Sequence, residues 1–398
     1  MALLPQELLN AIVHHIDGVP TLKASCLAGS VFRDEAQRIL FSKFKLDPVM
    51  RELNAVYGLL QNSPHIAPYI TWLDIEFESS DSESGEILAG DSESLLKIFD
   101  RLKNVQSCTA SFIPNGHIHA ALLSAFLTFL SRQPLHKLHI TYTPDLLPVV
   151  YLRLLTLAPT LSFLHVYLAD DMDFPMPDWQ NPVSRVRDLT LGSTSTGQTG
   201  LEALLVRSHF EKGTPGLLRL SLYCAHDLSS SLLFATMHTL EHVELNLQGA
   251  LGSPIAIPPF PVLRSIKLSS LRLLDRYPLW FPDLILTILD RSPLLANLAL
   301  VFTFSSRSDS TNPRHISAQL LTTLDTALVV HAAAPLLQWH ILLRRPGQHT
   351  FTDFVTLVRR GMPRLDAQRR LTVEAPKSLR HSGVSDGWRY DGREDTNT

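Results

Sequence analysis

The stretch Gly192-Ser-Thr-Ser-Thr-Gly197-Gln198-Thr199 lies between a strand-like run ending at Leu191 and a helix-like run starting at Leu201. Its position and spacing fit a loop that cradles phosphate with backbone N–H groups at a helix N-terminus. Such a loop needs a lysine after its second glycine to reach the terminal phosphates, and Gln198 carries no charge there. Leu286-Thr-Ile-Leu-Asp290 has the form of an acidic magnesium partner, but its spacing fits a helix following Phe281-Pro282. Nucleotide hydrolysis therefore has weak support. Among the 17 histidines, His117-x-His119 and His136-x-x-His139 have spacings from which a metal site is built, yet no nearby acid or thiolate completes either set. Cys26, Cys108 and Cys224 are odd in number and far apart, which argues against a disulfide framework or a thiolate zinc site and reads as small buried hydrophobes. No Gly-x-Ser-x-Gly elbow is present. The expectation is a protein without catalytic residues, cofactor or metal.

Composition narrows the class. With 398 residues, 45% of them hydrophobic and 18% charged, the chain can bury a large core as one elongated or two compact domains. A net charge of −3 gives no general attraction for nucleic acid or anionic membrane. No helix-like run approaches the roughly 20 apolar residues that span a bilayer. The first residues show neither a basic leader nor a secretory plan, so the cytosol or nucleus is expected.

The first 46 residues form three short helical patterns. Pro5 suits a first helical turn, and Leu8, Ile12 and Ile16 recur every four residues beside Leu9 and Val13. Leu22, Cys26 and Leu27 mark a second helix, and Phe32 to Phe41 a third, with Asp34 and Glu35 expected in its first turn. A segment of about 40 residues is rarely stable alone, so its surplus apolar surface must meet the following domain or a partner. Leu4-Pro5-x-Glu7-Leu8, Ile12, Leu22-x-x-x-Cys26-Leu27, Phe32 and Leu40-Phe41 together resemble the F-box motif, as found in the expanded fungal sets of F-box proteins. Ser30 and Val31 depart from it, standing where the family carries a basic residue followed by Ser or Thr. The resemblance implies a Skp-type adaptor, and through it a cullin, as partners. It places the adaptor contact on Leu4, Pro5, Leu8, Ile12, Leu22, Leu27, Phe32 and Leu40.

Past residue 65 one phrase returns, leucine-x-x-leucine-x-leucine with apolar exchanges. It reads Ile70-Leu73-Ile75, Val105-Cys108-Ala110, Leu135-Leu138-Ile140, Leu161-Leu164-Val166, Val186-Leu189-Leu191, Leu217-Leu220-Leu222, Leu240-Val243-Leu245, Leu263-Ile266-Leu268 and Leu295-Leu298-Leu300, with a weaker Leu336-Trp339-Ile341. Helix-like stretches such as Ala120 to Leu130, Leu201 to Phe210, Leu284 to Leu289 and Leu320 to Val330 lie between them. The spacing centres near the range of about 20 to 29 residues typical of leucine-rich repeats, a second resemblance. That architecture stacks parallel strands so that neighbouring repeats bury a common core. The expected fold is therefore α/β: a three-helix F-box-like module over residues 1–46, an irregular leucine-rich-repeat-like solenoid with outer helices over 47–375, and a polar tail over 376–398. A conventional parallel α/β domain is the structural alternative.

Residues 76–94, with seven acids, six serines and no basic residue, read as a solvated acidic loop. Residues 344–380, with nine basic and three acidic residues, read as the charged end of the solenoid. The resulting functional expectation is the substrate-recognition subunit of a Skp-cullin-F-box ubiquitin ligase, serving ubiquitin-dependent protein degradation by binding an unknown protein substrate. Outward strand residues would present that substrate, with Tyr167, Arg219 and Tyr223 as anchors. Alternatives are an interaction scaffold with a decayed F-box and, less favoured, an α/β enzyme.

Overall fold

The computed structural model describes residues 5–16, 18–46, 53–77, 89–112, 120–143, 148–166, 185–192, 216–223, 230–247, 256–272, 281–304, 318–343 and 348–374. Its N-terminal helices are α1 (Gln6–His14), α2 (Val19–Ala28) and α3 (Ser30–Phe41). Pro5 caps α1, and Pro20 sits in the first turn of α2, where a missing N–H costs nothing. Val13, Leu22 and Ala36 form the buried centre, with Ile16, Cys26, Phe32, Ile39 and Leu40 packed against it. Glu35 is also buried: His14 Nε2 lies 2.9 Å from one carboxylate oxygen and Arg38 3.5 Å from the other. Because α3 already begins at Ser30, Glu35 falls past the first turn and ties α3 to α1 instead.

The chain continues through β1 (Lys43–Leu46), α4 (Leu53–Asn62), a 3-10 turn (Pro64–Tyr69), β2 (Trp72–Phe77), α5 (Ala89–Arg101), β3 (Ser107–Phe112), α6 (Ala120–Ser131) and β4 (Lys137–Thr143). It then runs through α7 (Pro148–Leu154), β5 (Thr160–Val166), β6 (Asp188–Gly192), β7 (Arg219–Tyr223), α8 (Ser230–Thr236), β8 (His242–Asn246) and β9 (Ser265–Arg272). The last elements are α9 (Phe281–Arg291), β10 (Asn297–Phe304), α10 (Ala318–Val330), β11 (Leu336–Leu343), α11 (Gln348–Gly361), α12 (Pro363–Ala367) and β12 (Leu371–Glu374). The twelve strands follow one another in chain order in one sheet. The pairings in register, Lys43↔Trp72 and Leu73↔Cys108 among them, are parallel. The chain is therefore mixed α/β with helices between parallel strands.

Packing divides the chain within β8 into a unit of residues 1–243 with 255–262 and a unit of 244–254 with 263–398. In the first, strand residues alternate: Leu73, Ile75, Cys108, Ala110, Leu138, Ile140, Leu189, Leu191, Leu220 and Leu222 point inward. Each large aliphatic side chain so buried contributes roughly 1.5–3 kcal/mol. The buried Gln133 bridges neighbouring turns, donating to Leu102 O at 2.8 Å and accepting from Val105 N at 3.1 Å. At most strand starts the carbonyl just before the preceding strand accepts consecutive N–H groups. Gln106 O receives His136 and Lys137, Arg187 O receives Leu218 and Arg219, and Leu218 O receives Glu241 and His242.

In the second unit Ile266, Leu268, Leu298, Leu300, Leu337 and Trp339 form the inward rows, and Phe302 stacks on Trp339 at 4.8 Å. The buried Asp325 of α10 accepts from Leu365 N at 2.9 Å and Arg364 N at 3.3 Å, capping α12 across 40 residues of chain. Arg370 donates to Leu328 O at 2.7 Å and to Pro335 O at 3.1 Å.

Several sequence readings shift. On β5 the inward pair is Leu161 and Phe163, in register with Leu138 and Ile140, so that phrase begins at Ala158 and not at Leu161. On β11 the inward pair is Leu337 and Trp339, in register with Leu298 and Leu300, while Leu336 is exposed. The acidic stretch is shorter than 76–94. Glu76 belongs to β2 and lies 2.8 Å from Lys45, and Ser94 is buried in α5, donating to Asn54 Oδ1 at 2.7 Å. β1, within the first 46 residues, is already the first strand of the sheet. The C-terminal tail, Leu201 to Phe210 and Cys224 lie outside the described residues.

Candidate docking surfaces

The three-helix unit cannot turn all its apolar residues inward, because so small a core has room for few of them. Leu8 is 52% exposed, Ile12 51%, Val19 56%, Leu27 86% and Val31 47%. Gln6 Nε2 donates to Val31 O at 2.9 Å, which ties the start of α1 to the α2–α3 corner where Leu27 and Val31 stand. Of the residues expected at the adaptor contact, Pro5, Leu8, Ile12 and Leu27 are on the surface. Leu22 is at 5% exposure and is a core residue, while Phe32 and Leu40 are half-buried against that core. Leu22 falls inward because its spacing to Cys26 puts both on the side of α2 that meets α3. Leu4 lies outside the described residues. Val19 and Val31 were not picked out by the motif. Residue hydrophobicity at a helix's first positions was the signal available.

This unit joins the sheet through polar contacts as well as β1. The Tyr69 hydroxyl donates to the Asp34 carboxylate, a bond that is the main cause of the raised tyrosine pKa, and Arg38 lies over the Tyr69 ring at 5.9 Å. Thr71 N and Trp72 N both donate to Ser42 O.

The second candidate surface is the outward face of the first unit's strands. One register row reads Lys43, Trp72, Ser107, Lys137, Thr160, Asp188, Arg219, and the next reads Lys45, Asp74, Thr109, His139, Ser162, Thr190, Ser221. Burial holds the Asp74 carboxyl above its ordinary range, with Glu76 adding to the shift and Lys45 opposing it. Burial, and then Lys137, lowers the His139 imidazole to about 4. Arg219 is exposed and 3.9 Å from Asp188, which also accepts from Thr160 Oγ1 at 3.3 Å. Tyr223 is half-buried at the end of β7, in register with Gly192. Tyr167 lies outside the described residues.

In the second unit the outward face carries Lys267 at 2.7 Å from Glu244 and His340 at 3.9 Å from Glu374. Burial lowers the His340 pKa, against the opposing pull of Glu374. An open groove of about 380 Å³ lies along Leu286, Thr322, Thr326 and Ala327. Its threonine hydroxyls donate to carbonyls one turn earlier in α10, Thr322 to Ala318 O and Thr326 to Thr322 O.

Residues considered for chemistry are dispersed. His136 is exposed and His139 half-buried, and residues 193–200, His117 and His119 lie outside the described residues. Among the described residues no three His, Cys, Asp or Glu side chains converge as metal ligands. Cys108 is fully buried, which pushes its thiol pKa up, and Cys26 is half-buried. Among the described residues no helix is long and apolar enough to cross a membrane. The geometry offers surfaces for binding. No protein-family model matches the chain, and no curated protein matches it.

Proposed function

We propose that the chain is the substrate-recognition subunit of a Skp-cullin-F-box ubiquitin ligase, with a Skp-type adaptor docking on the N-terminal helices and a protein substrate on the repeat surface. The observation that carries this reading is the outward apolar set Leu8, Ile12, Val19, Leu27 and Val31 on helices that already have a closed core. Side chains of that size, surrounded by polar positions such as Gln6, Asn10 and Lys23, have the make-up of an interface centre with a polar rim. The departure at Val31 from the family pattern adds an apolar group to this surface. The strand phrases and intervening helices fit a degenerate leucine-rich-repeat region, whose outward residues, including Arg219 and Tyr223, would face a substrate. The contribution of such a subunit is proximity, bringing substrate to a ubiquitin-transferring centre held elsewhere.

Copurification with a Skp adaptor tests the reading. Leu8→Asp, and separately Pro5→Ala with Ile12→Asp, should abolish adaptor binding, because a charge buried unpaired at a contact costs several kcal/mol. Circular dichroism checks that the helices persist. A folded variant that binds adaptor as well as the parent chain removes this reading and leaves the scaffold without an adaptor.

A further inference from the structure

Between β2 and β7 most outward side chains of the first unit are short: Ser107, Thr109, Thr141, Thr160, Ser162 and Thr190 are half-buried or buried, and Lys137, His139 and Asp188 stand among them. Long side chains stand at the two margins. On one, Lys43 lies over the Trp72 ring at 4.6 Å; on the other, Arg219 and Tyr223 rise from β7. The outward strand surface is thus a shallow trough floored with hydroxyl groups. At the margins Lys45 lies 2.8 Å from Glu76, Arg219 lies 3.9 Å from Asp188, and Lys43 is held by the Trp72 ring. Lys137 differs. It is exposed at the first position of β4, midway between the two margins, in register with Ser107 and Thr160, and has no ion pair among the described residues. Its neighbour His139, whose pKa lies near 4, is uncharged at neutral pH and adds hydrogen-bonding capacity without charge.

We infer that this trough binds an extended peptide segment whose single aspartate or glutamate carboxylate pairs with Lys137, while the hydroxyls of Ser107, Thr109, Thr160 and Ser162 meet its peptide groups. The inference rests on the strand face being the substrate surface in the proposed function, and it names the class of substrate. Strands about 4.8 Å apart each present hydroxyls on this face, so that a chain laid across them meets a donor or acceptor at every strand it crosses. The floor supplies one unpaired positive charge. That matches a carboxylate, whereas a phosphoryl group brings a charge of about −1.5 to −2 and calls for a cluster of cations. Short hydroxyl side chains let a peptide backbone approach closely while still finding donors and acceptors.

The purified full chain is panned against a phage-displayed library of random peptides, and an enriched peptide is resynthesised for fluorescence anisotropy. Enriched sequences should share one Asp or Glu flanked by uncharged residues. Lys137→Glu should weaken binding by about tenfold, Lys137→Gln by less, and Lys137→Arg should retain it, with binding falling as salt rises. Melting temperatures of the three variants should match the parent, since Lys137 is exposed. Enrichment of no sequence, enrichment without an acid, or unchanged affinity in folded Lys137→Glu overturns the inference. Tighter binding of the same peptide with phosphoserine replacing the acid overturns the carboxylate assignment. Leu8→Asp should still bind the peptide. Loss of adaptor binding as the sole failure therefore reports on the docking helices, and loss of peptide binding reports on the trough.

Discussion

The three N-terminal helices and the strands that follow them handle apolar residues in opposite ways. The helices close a small centre around Val13, Leu22 and Ala36 and leave Leu8, Ile12 and Leu27 in water. The strands put Leu73, Leu138, Phe163 and Leu220 at essentially zero exposure and present hydroxyls and matched charges outward. A leucine on the first region is therefore available for association, while a leucine on the second is committed to stability. Even adjacent turns of α2 differ, since Leu22 is core and Leu27 is the most exposed large apolar residue among those described.

The largest effect that could break this contrast is Leu138→Asp. A carboxylate there meets only the inward rows, and the first unit should lose its cooperative unfolding transition by thermal circular dichroism. If the variant still melts cooperatively near the parent temperature, the strands are not the stability-bearing region.

In the second unit, Gly361→Ala should destabilise by about 2 kcal/mol, because a Cβ there would stand 2.4 Å from Leu321 Cδ1 and 2.6 Å from its Cβ. Asp325→Ala should cost about as much by orphaning the N–H groups of Arg364 and Leu365. Hydrogen exchange in α12 and β12 is the measurement for both. Protection unchanged in either variant would show that those contacts do not hold the last strand.

Smaller for each pH unit is the acid response of His139. Its folded pKa, about 4, lies below the ordinary 6.5. The unfolded chain therefore takes up the proton first, and stability falls as pH drops from 6.5 towards 4, by at most about 1.4 kcal/mol per pH unit. Above 6.5 this residue contributes no slope. His139→Gln should flatten the denaturant-midpoint profile in that window, and an identical slope in both chains would discount its burial.

Smallest in stability is Leu27→Ser, which should change unfolding free energy by no more than about 0.5 kcal/mol while removing adaptor binding in a pull-down. A large loss of stability would mean that Leu27 serves the fold, and the contrast between the regions would collapse.

The alternation in the strands was legible because leucine recurs with the two-residue period of a strand following a fixed turn, and nine phrases reinforce one another. Phase failed where the chain offers too many candidates. Around β5, Leu157, Leu161 and Leu164 compete, Ala158 is small enough to escape notice, and an aromatic, Phe163, fills the last place. At β11, adjacent leucines at 336 and 337 differ only in the face that the register assigns them. β1 has four residues, too few to show a period against Lys43 and Lys45. The apolar surface of the helices was legible as a surplus, but not which members would be spared from the core. Leu22 and Leu27 belong to one pattern, and only packing against α3 tells them apart. The unpaired state of Lys137 has no sequence signal, since it depends on which charges lie beside it across three strands.

The step at most strand starts is made from groups of the backbone alone. Ser42, Thr71, Gln106, Arg187, Leu218 and Arg264 share no chemistry beyond a carbonyl, yet each receives two consecutive N–H groups. Where the first donor is proline, at Pro159 and Pro335, the second alone remains: Thr160 bonds to His136 O and Leu336 to Ala296 O. The staircase thus imposes a single prohibition at positions such as Ser107, Lys137, Asp188 and Arg219: they cannot be proline. Everything else there is open to drift. Such a backbone can outlast most of the letters that once spelled it, and its outward faces can be rewritten for new partners without moving a tread.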